Sequence, residues 1–358
     1  MRILKTFLAG VLCLSLCLSL ASCNTSWVFK SGKYEMSSGV YLALLITSTN
    51  EANSKVTDKS KEVWTQKIDK KDVKTWILDQ TNEAARQFIG IEKKFDELKL
   101  SLTKEDNEAV ESQLSQTVSQ SGKVFEDNGA GEDSLKKVII NQMKTSKVFE
   151  KMYGKGGLEE VKDDTLKDYM LKNYVKLKYI LMPLSDQAGT PITADAKTAL
   201  KEKANGFISQ LNAGAKIDEL IFSYSQEQQK AAAAAAGQPE PEKTNYDPAN
   251  DKQNEVFLSK TDTQYPEKYI KAVFADTMKI NTPTFFEDEK YFFVTVKHDL
   301  AQSPETFTEQ RTQILASLKK DDFKKMSIAV VSKDFVINKS SISKYDPKKI
   351  VFPKQQQQ

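Results

Sequence analysis

The run Val175-Lys176-Leu177-Lys178-Tyr179-Ile180-Leu181-Met182 marks the place where the hydrophobic period of this chain changes. Val175, Leu177, Tyr179 and Leu181 alternate with Lys176, Lys178, Ile180 and Met182, the two-residue repeat of a β-strand, and Pro183 ends the run. Upstream, from residue 24 to about residue 173, the chain reads as helix. Tyr34 to Ser48 places Met36, Val40, Tyr41, Leu44 and Leu45 on one stripe. From about Lys71 to Leu100, the residues Ile77, Thr81, Ala84, Phe88, Ile91, Phe95 and Leu98 recur at spacings of four and three, a continuous seam on a long amphipathic helix. Thr103 is the expected N-cap of the next helix, with Glu105 and Asp106 in its first turn. Asn128-Gly129-Ala130-Gly131 breaks the pattern, and Glu132 or Asp133 opens a helix that stops at Gly154-Lys155-Gly156-Gly157. A short helix over about Asp163 to Lys172 leads into the strand.

Downstream, Thr193 caps a helix with Ala196, Leu200, Ala204, Phe207, Ile208 and Leu211 inward, closed by Gly214, and a shorter helix covers about Ile217 to Tyr224. Six alanines, Ala231 to Ala236, run into Gly237-Gln238-Pro239-Glu240-Pro241-Glu242; residues 229–254 read as a mobile low-complexity loop, with a frayed helical extension through the alanines as the competing reading. Pro266 to Thr277 reads as helix with Tyr269, Val273 and Phe274 facing in, and Tyr291 to Val296 as strand. Ser303-Pro304 starts a helix carrying Phe307, Ile314, Leu315 and Leu318, a strand-like stretch covers Ile328 to Ile337, and residues 353–358 form a disordered tail. The order predicts an α+β protein. Residues 23–173 and 301–352, from the two chain ends, share a helical lobe, and residues 174–300 form an inserted unit with a small antiparallel sheet plus helices.

Composition narrows the function. Of 358 residues, 52 are basic and 49 acidic, a formal charge of +3, too balanced for nucleic-acid binding. Only Arg2, Arg86 and Arg311 are arginines, which disfavours a bidentate phosphate clamp. The one histidine, His298, reads as a solvated side chain beyond the last strand, and the cysteines are Cys13, Cys17 and Cys23 alone. That leaves almost no material for a zinc site, a disulfide framework or a Cys–His nucleophile. No Gly-x-x-x-x-Gly-Lys-Ser/Thr run points to a nucleotide, and no Gly-x-Ser-x-Gly to a hydrolase. Asp247 to Glu255 is acidic but lacks the glycine and spacing of a calcium loop. The expectation is no cofactor and no metal.

Arg2 and Lys5 precede an apolar run from Thr6 to Leu20, the pattern of a secretory signal and too short for a comfortable transmembrane helix. The run ends Leu20-Ala21-Ser22-Cys23, which resembles the lipobox of bacterial lipoproteins. That resemblance implies removal of residues 1–22, diacylglycerol on Cys23, and a protein held by two acyl chains on the outer face of the bacterial cell membrane.

The strand at Val175 to Met182, the helix ending Phe207-Ile208-Ser209-Gln210-Leu211-Asn212-Ala213-Gly214, Ile217 to Ser225, Tyr269-Ile270-Lys271-Ala272-Val273-Phe274 and the closing strand Tyr291 to Val296 together resemble a parvulin-type peptidyl-prolyl isomerase domain. The whole chain is similar to the PrsA and SurA group of extracytoplasmic foldases, in which such a domain is inserted into a helical chaperone lobe. The resemblance implies a chaperone whose partners are unfolded or nascent secreted polypeptides. An active parvulin carries a histidine where this chain has Tyr179, a second near Phe292 or Phe293, and an Asp or Cys near Glu227. Its Gly-Gly-Asp-Leu-Gly segment is replaced by the alanine- and proline-rich stretch. The expected domain is therefore degenerate, binding peptide with little or no catalysis. Its candidate peptide-binding residues are Tyr179, Glu227, Tyr265, Tyr269, Phe274 and Phe292. Turning an X–Pro bond against a barrier of ~18–20 kcal/mol needs no nucleophile, so an active isomerase with aromatic walls is the alternative. A solute-binding lipoprotein of a transporter is a second alternative, disfavoured by the small number of strands.

Overall fold

The computed structural model describes residues 26–58, 60–186 and 189–353. Residues 1–22, read above as a signal, Cys23 and the tail beyond Pro353 lie outside the described residues. The fold is α+β, in two compact units: a helical unit, made of the described residues up to Val161 together with those from Lys319 onward, and a sheet unit, Lys162–Leu318. The sheet unit thus begins before residue 174 and ends after residue 300.

The helical unit does not begin with helix. β1 (Trp27–Ser31) and β2 (Tyr34–Ser37) form an antiparallel hairpin, and Gly32, at φ 57°, turns its two-residue loop. Ser37 then caps α1 (Ser38–Lys55) by accepting from the Val40 amide. The stripe expected from Tyr34 onward is split at this cap, because Met36 is needed in the strand and Val40, Tyr41, Leu45 and Ile46 in the helix. A second tight hairpin, β3 (Lys67–Ile68) and β4 (Lys71–Asp72), turns through Asp69 and Lys70, both at positive φ. These strands are too short to show a two-residue repeat, which is why residues 24–173 read as helix throughout. α2 (Val73–Glu97) is the long amphipathic helix, with Ile77, Thr81, Ala85, Ile89, Ile91 and Phe95 buried. α3 (Lys104–Asp127) opens on a reciprocal capping box in which Asp106 N donates to Thr103 Oγ1 at 3.2 Å and Thr103 N to Asp106 Oδ2 at 2.8 Å. α4 (Glu132–Tyr153) follows Gly131.

In the sheet unit, α5 (Asp163–Asn173) leads into β5 (Tyr174–Pro183), then α6 (Ala194–Asn212), α7 (Ile217–Ala235), β6 (Val256–Ser259), α8 (Glu267–Val273), β7 (Thr284–Glu287) and β8 (Tyr291–His298). All pairings are antiparallel, in the order β6-β5-β8-β7. The expected loop over 229–254 is helical to Ala235 and 3₁₀-helical over Pro248–Asn254. Alanine has the highest helix propensity, and Ala233 also finds a buried position, so the helix continues until Gly237 takes a positive φ.

β5 is covered on both faces. Val175 and Leu177 pack with Leu258, Tyr269, Val273 and Phe293 on the α8 side, whereas Ile180 and Met182 pack with Phe207, Leu220, Phe292 and Val294 under α6 and α7. Lys176 and Lys178 lie on the second face, only 7% and 8% exposed. Lys178 Nζ reaches both carboxylate oxygens of Asp218 at 2.9 and 2.8 Å, and Asn254 Nδ2 donates to the same group at 2.8 Å. The alternation of apolar residues with lysines therefore hides a second buried face.

α9 (Pro304–Ala329) gives its residues from Lys319 onward to the helical unit, followed by β9 (Phe335–Ile337) and α10 (Lys339–Ile342). The strand expected over 328–337 is confined to its last three residues, because α9 runs on through Ala329. β9 pairs with β1 in the register Phe29↔Ile337, Lys30↔Val336, Ser31↔Phe335, giving the order β2-β1-β9. Phe29 stacks on Phe335 with centroids 5.0 Å apart, and Phe149 meets Phe323 edge-on at 5.1 Å.

α2 touches α9 backbone to backbone: a Cβ added at Gly90 would overlap the carbonyl carbon and oxygen of Ser327. Because both obstructing atoms are main chain, Gly90→Ala is expected to destabilise the helical unit by about 1–3 kcal/mol, read as a lower urea midpoint in tryptophan fluorescence. A midpoint equal to wild type would show that the two helices part freely. In the sheet unit, Asp218→Ala strands a buried lysine cation and is expected to cost about 3–5 kcal/mol, while Lys178→Met with Asp218→Leu together costs far less; equal losses in the single and double variants would contradict this.

Candidate peptide-binding site of the sheet unit

Four of the six sequence-predicted residues meet on the α8 face. Tyr179 projects from β5, Tyr265 from the segment before α8, Tyr269 from the first turns of α8, and Phe274 caps the end of that helix. The Tyr179 and Tyr265 hydroxyls are hydrogen-bonded at 2.9 Å, and the Tyr269 hydroxyl is bonded to Thr295 Oγ1 of β8 at 3.0 Å. Tyr269 stacks on Phe293 with centroids 4.1 Å apart, and Tyr179 stands edge-on to Tyr265 at 5.9 Å and to Phe293 at 5.8 Å. Phe274 lies at the margin of this cluster under the Lys260 ammonium, 5.5 Å from the ring centre. Tyr269 is 2% exposed, while Tyr179 and Tyr265 are half-buried.

The other two residues lie elsewhere. Phe292 is fully buried on the opposite face of the sheet, edge-on to Phe285, with Lys197 Nζ 5.5 Å from its ring. The pleat decides this: neighbouring residues of β8 point to opposite faces, so Phe293 joins the tyrosines and Phe292 cannot. Glu227 is an exposed residue of α7, ion-paired with Lys203 of α6.

His298 is not the solvated residue beyond the strand that the sequence suggested. It is the last residue of β8, half-buried, and directly opposite Lys176 in the β5–β8 ladder. Its Nε2 is buried without a hydrogen-bond partner among the described residues. Burial above all, then the nearby Lys178 and Lys176 cations, hold the imidazole below its ordinary value. The tyrosine cluster thus contains no imidazole. It offers phenol hydroxyls that donate to and accept from one another, and aromatic walls.

An open concavity of the sheet unit lies on the other side. A groove of about 750 Å³ runs between α6 and the C-terminal half of α7, walled by Ile192, Leu200, Tyr224, Ala232, Ala235 and Tyr291. Its far wall is the alanine run that the sequence suggested to be a loop; the signal that could have found it is the helix propensity of those alanines. Tyr224 lies at the base, edge-on to Phe207 at 5.7 Å, and burial pushes its phenol up to about 12. In the helical unit a smaller cavity of about 380 Å³ is lined by Trp27, Tyr34, Val40, Phe88 and Ile140, with Lys144 bound to Glu92 beside it. Among the described residues no group of three or more His, Cys, Asp or Glu could hold a metal, and no helix is long and apolar enough to cross a membrane.

Burial also raises the Tyr265 and Tyr269 phenols above the ordinary tyrosine value, for Tyr265 with help from the Tyr179 hydrogen bond. These groups keep their protons longer folded than unfolded, so their contribution is complete below about pH 10 and is lost as the pH climbs from there toward the raised values. The sheet unit is expected to weaken in that alkaline range, and Tyr269→Phe to flatten the loss; urea midpoints across the range check this, and an unchanged slope in Tyr269→Phe contradicts it.

Among known proteins, no family profile and no curated protein matches this chain. Several solved structures are similar to it. It is 16% identical to PrsA from Bacillus subtilis, over 72% of this chain and 85% of that one, with a TM-score of 0.33. It is 14% identical to the foldase protein PrsA from Streptococcus pneumoniae, over 77% and 95%, with a TM-score of 0.35. It is 12% identical to the foldase protein PrsA from Lactococcus lactis, over 88% and 96%, with a TM-score of 0.33.

Proposed function

We propose that this protein is a membrane-anchored extracytoplasmic chaperone that assists the folding of secreted polypeptides. Its sheet unit binds extended segments of unfolded chains with little or no catalysis, and Cys23 carries the lipid that holds it to the outer face of the membrane. The observation that carries this reading is the groove of about 750 Å³ between α6 and α7, walled largely by apolar side chains. A client segment laid against Ile192, Leu200 and the alanine face would be held by burial of apolar surface, worth about 25 cal/mol per Å², without energy input. The tyrosine cluster supports the non-catalytic half: the Tyr179 and Tyr265 hydroxyls bond each other, that of Tyr269 bonds Thr295, and the one imidazole of the chain is at the far end of β8, on the other face. The lipobox-like Leu20-Ala21-Ser22-Cys23 supports the anchor.

At equimolar ratio the purified protein is expected to delay aggregation of an unfolded client, and Leu200→Glu, which puts a charge in the groove, to weaken client binding roughly tenfold or more. A protease-coupled proline-peptide assay is expected to give no rate above background. Absence of any delay sinks the chaperone reading; isomerisation well above background replaces the non-catalytic reading with that of an active isomerase. Cys23→Ser is expected to move the protein out of the membrane fraction.

A further inference from the structure

The chain has one histidine, and the fold places it among buried cations. In the β5–β8 ladder His298 faces Lys176, and with Lys178 these residues occupy the sheet face that looks toward α7 and the start of α9. Both lysines are more than nine-tenths buried. Each is already matched: Lys178 by Asp218, and Lys176 by Glu255 at 3.1 Å, Glu305 at 3.4 Å and the Thr306 hydroxyl at 3.2 Å. A bare charge count, three carboxylates against two ammonium groups, would welcome another cation. The geometry does not, because Asp218 is occupied on both oxygens, Glu305 is more than half exposed, and the buried Nε2 of His298 reaches no acceptor among the described residues. In the imidazolium, which carries a proton on both ring nitrogens, the Nε2–H is therefore buried without an acceptor among the described residues. On its other side the imidazole borders a cavity of about 370 Å³, which Lys172, Asp276, Lys297 and Asp299 also line. There Lys297 Nζ donates to the Val273 carbonyl, and Asp299 accepts from the Ala301 amide, so neither is aimed at the ring.

We propose that His298 is an acid-sensitive latch of the sheet unit: protonation sets a third cation against Lys176 and Lys178 and loosens the β5–β8 pair where the chain leaves β8 for α9. The sign follows from linkage. The imidazole is held below its ordinary value of 6.5 when folded, so the unfolded chain takes up its proton first. Its contribution to stability is complete above 6.5 and is lost as the pH falls through the folded value. The device is independent of what the groove binds.

Two features of the sequence make the test clean. A single histidine gives a single imidazole resonance; Trp27, Trp64 and Trp76 all belong to the helical unit, so tryptophan fluorescence reports that unit, while eight of the twelve tyrosines belong to the sheet unit, so near-ultraviolet tyrosine dichroism is weighted toward it. In the full chain, lowering the pH from about 7.5 to about 5.5, above the ordinary carboxylate range, is expected to lower the urea midpoint of the tyrosine signal. The tryptophan signal should show no comparable fall, His298→Gln should flatten the tyrosine response, and the wild-type imidazole should titrate below 6.5. An imidazole that titrates at or above 6.5 in the folded protein overturns the proposal, as does an acid response retained in His298→Gln. If that variant does not fold, the wild-type titration decides alone.

Discussion

Three residues near each end of the chain hydrogen-bond as an antiparallel pair, Phe29–Ser31 with Phe335–Ile337, and the helical unit is built around that closure. Asp334 accepts from the Ser31 hydroxyl, Asn338 donates from its backbone to the Val28 carbonyl and from its side chain to Trp27, and the Arg86 guanidinium lies 4.2 Å from the Phe335 ring centre. Further along, Asn128 and Val351 exchange two hydrogen bonds of 2.8 Å. Bringing together segments some 300 residues apart carries a loop-closure entropy that grows only slowly with length, but it is paid before any of these contacts forms. The sheet unit reduces that cost. Its own ends are tied together, Asp163 to Arg311 at 2.8 Å and Tyr169 to Ser317 at 3.2 Å, so once it has folded the loop that β1 and β9 must close is effectively shorter.

Within the sheet unit the governing constraint is the pleat. One strand, β5, supplies both the tyrosine face and the lysine face, and β8 answers it residue for residue from Lys176↔His298 to Pro183↔Tyr291. The chemistry separates accordingly. The α8 face holds phenols and aromatic rings that bind one another. The α6–α7 face holds an apolar core at one end, where Phe207, Tyr224 and Phe292 pack, and a charged network at the other, where Lys176 and Lys178 meet Asp218, Glu255 and Glu305 beside His298. Buried ions of this kind contribute little net stability but penalise any register that separates them, and a one-residue slip of β5 would do so.

Much of this architecture was legible in the residues. The period of α2, the Thr103 and Thr193 caps, the β5 alternation and the Ser303-Pro304 helix start are local signals, and local signals survive without a fold around them. The candidate site was half legible. Tyr179, Tyr269 and Phe274 lie on a strand and a helix that local signals reveal, and Tyr265 directly precedes that helix; all four share a face. Phe292 and Glu227 are different: the parity of β8 relative to β5 is set by register, and Glu227 lies in the part of α7 beyond Tyr224, where the apolar repeat no longer shows which way a residue points.

The sequence by itself determined the element types wherever the hydrophobic repeat is long enough to read, the balanced charge, the single histidine and the lipobox-like Cys23. Only the tertiary structure decided that lysines 176 and 178 are interior, that the Nε2 of His298 is buried beside them, that the alanine run is a groove wall, and that Gly90 is a helix contact. The physical reason is the same in each case. Lysine prefers the surface unless it is paired, and histidine, alanine and glycine occur both inside and outside; partners brought from distant parts of the chain settle where each one goes.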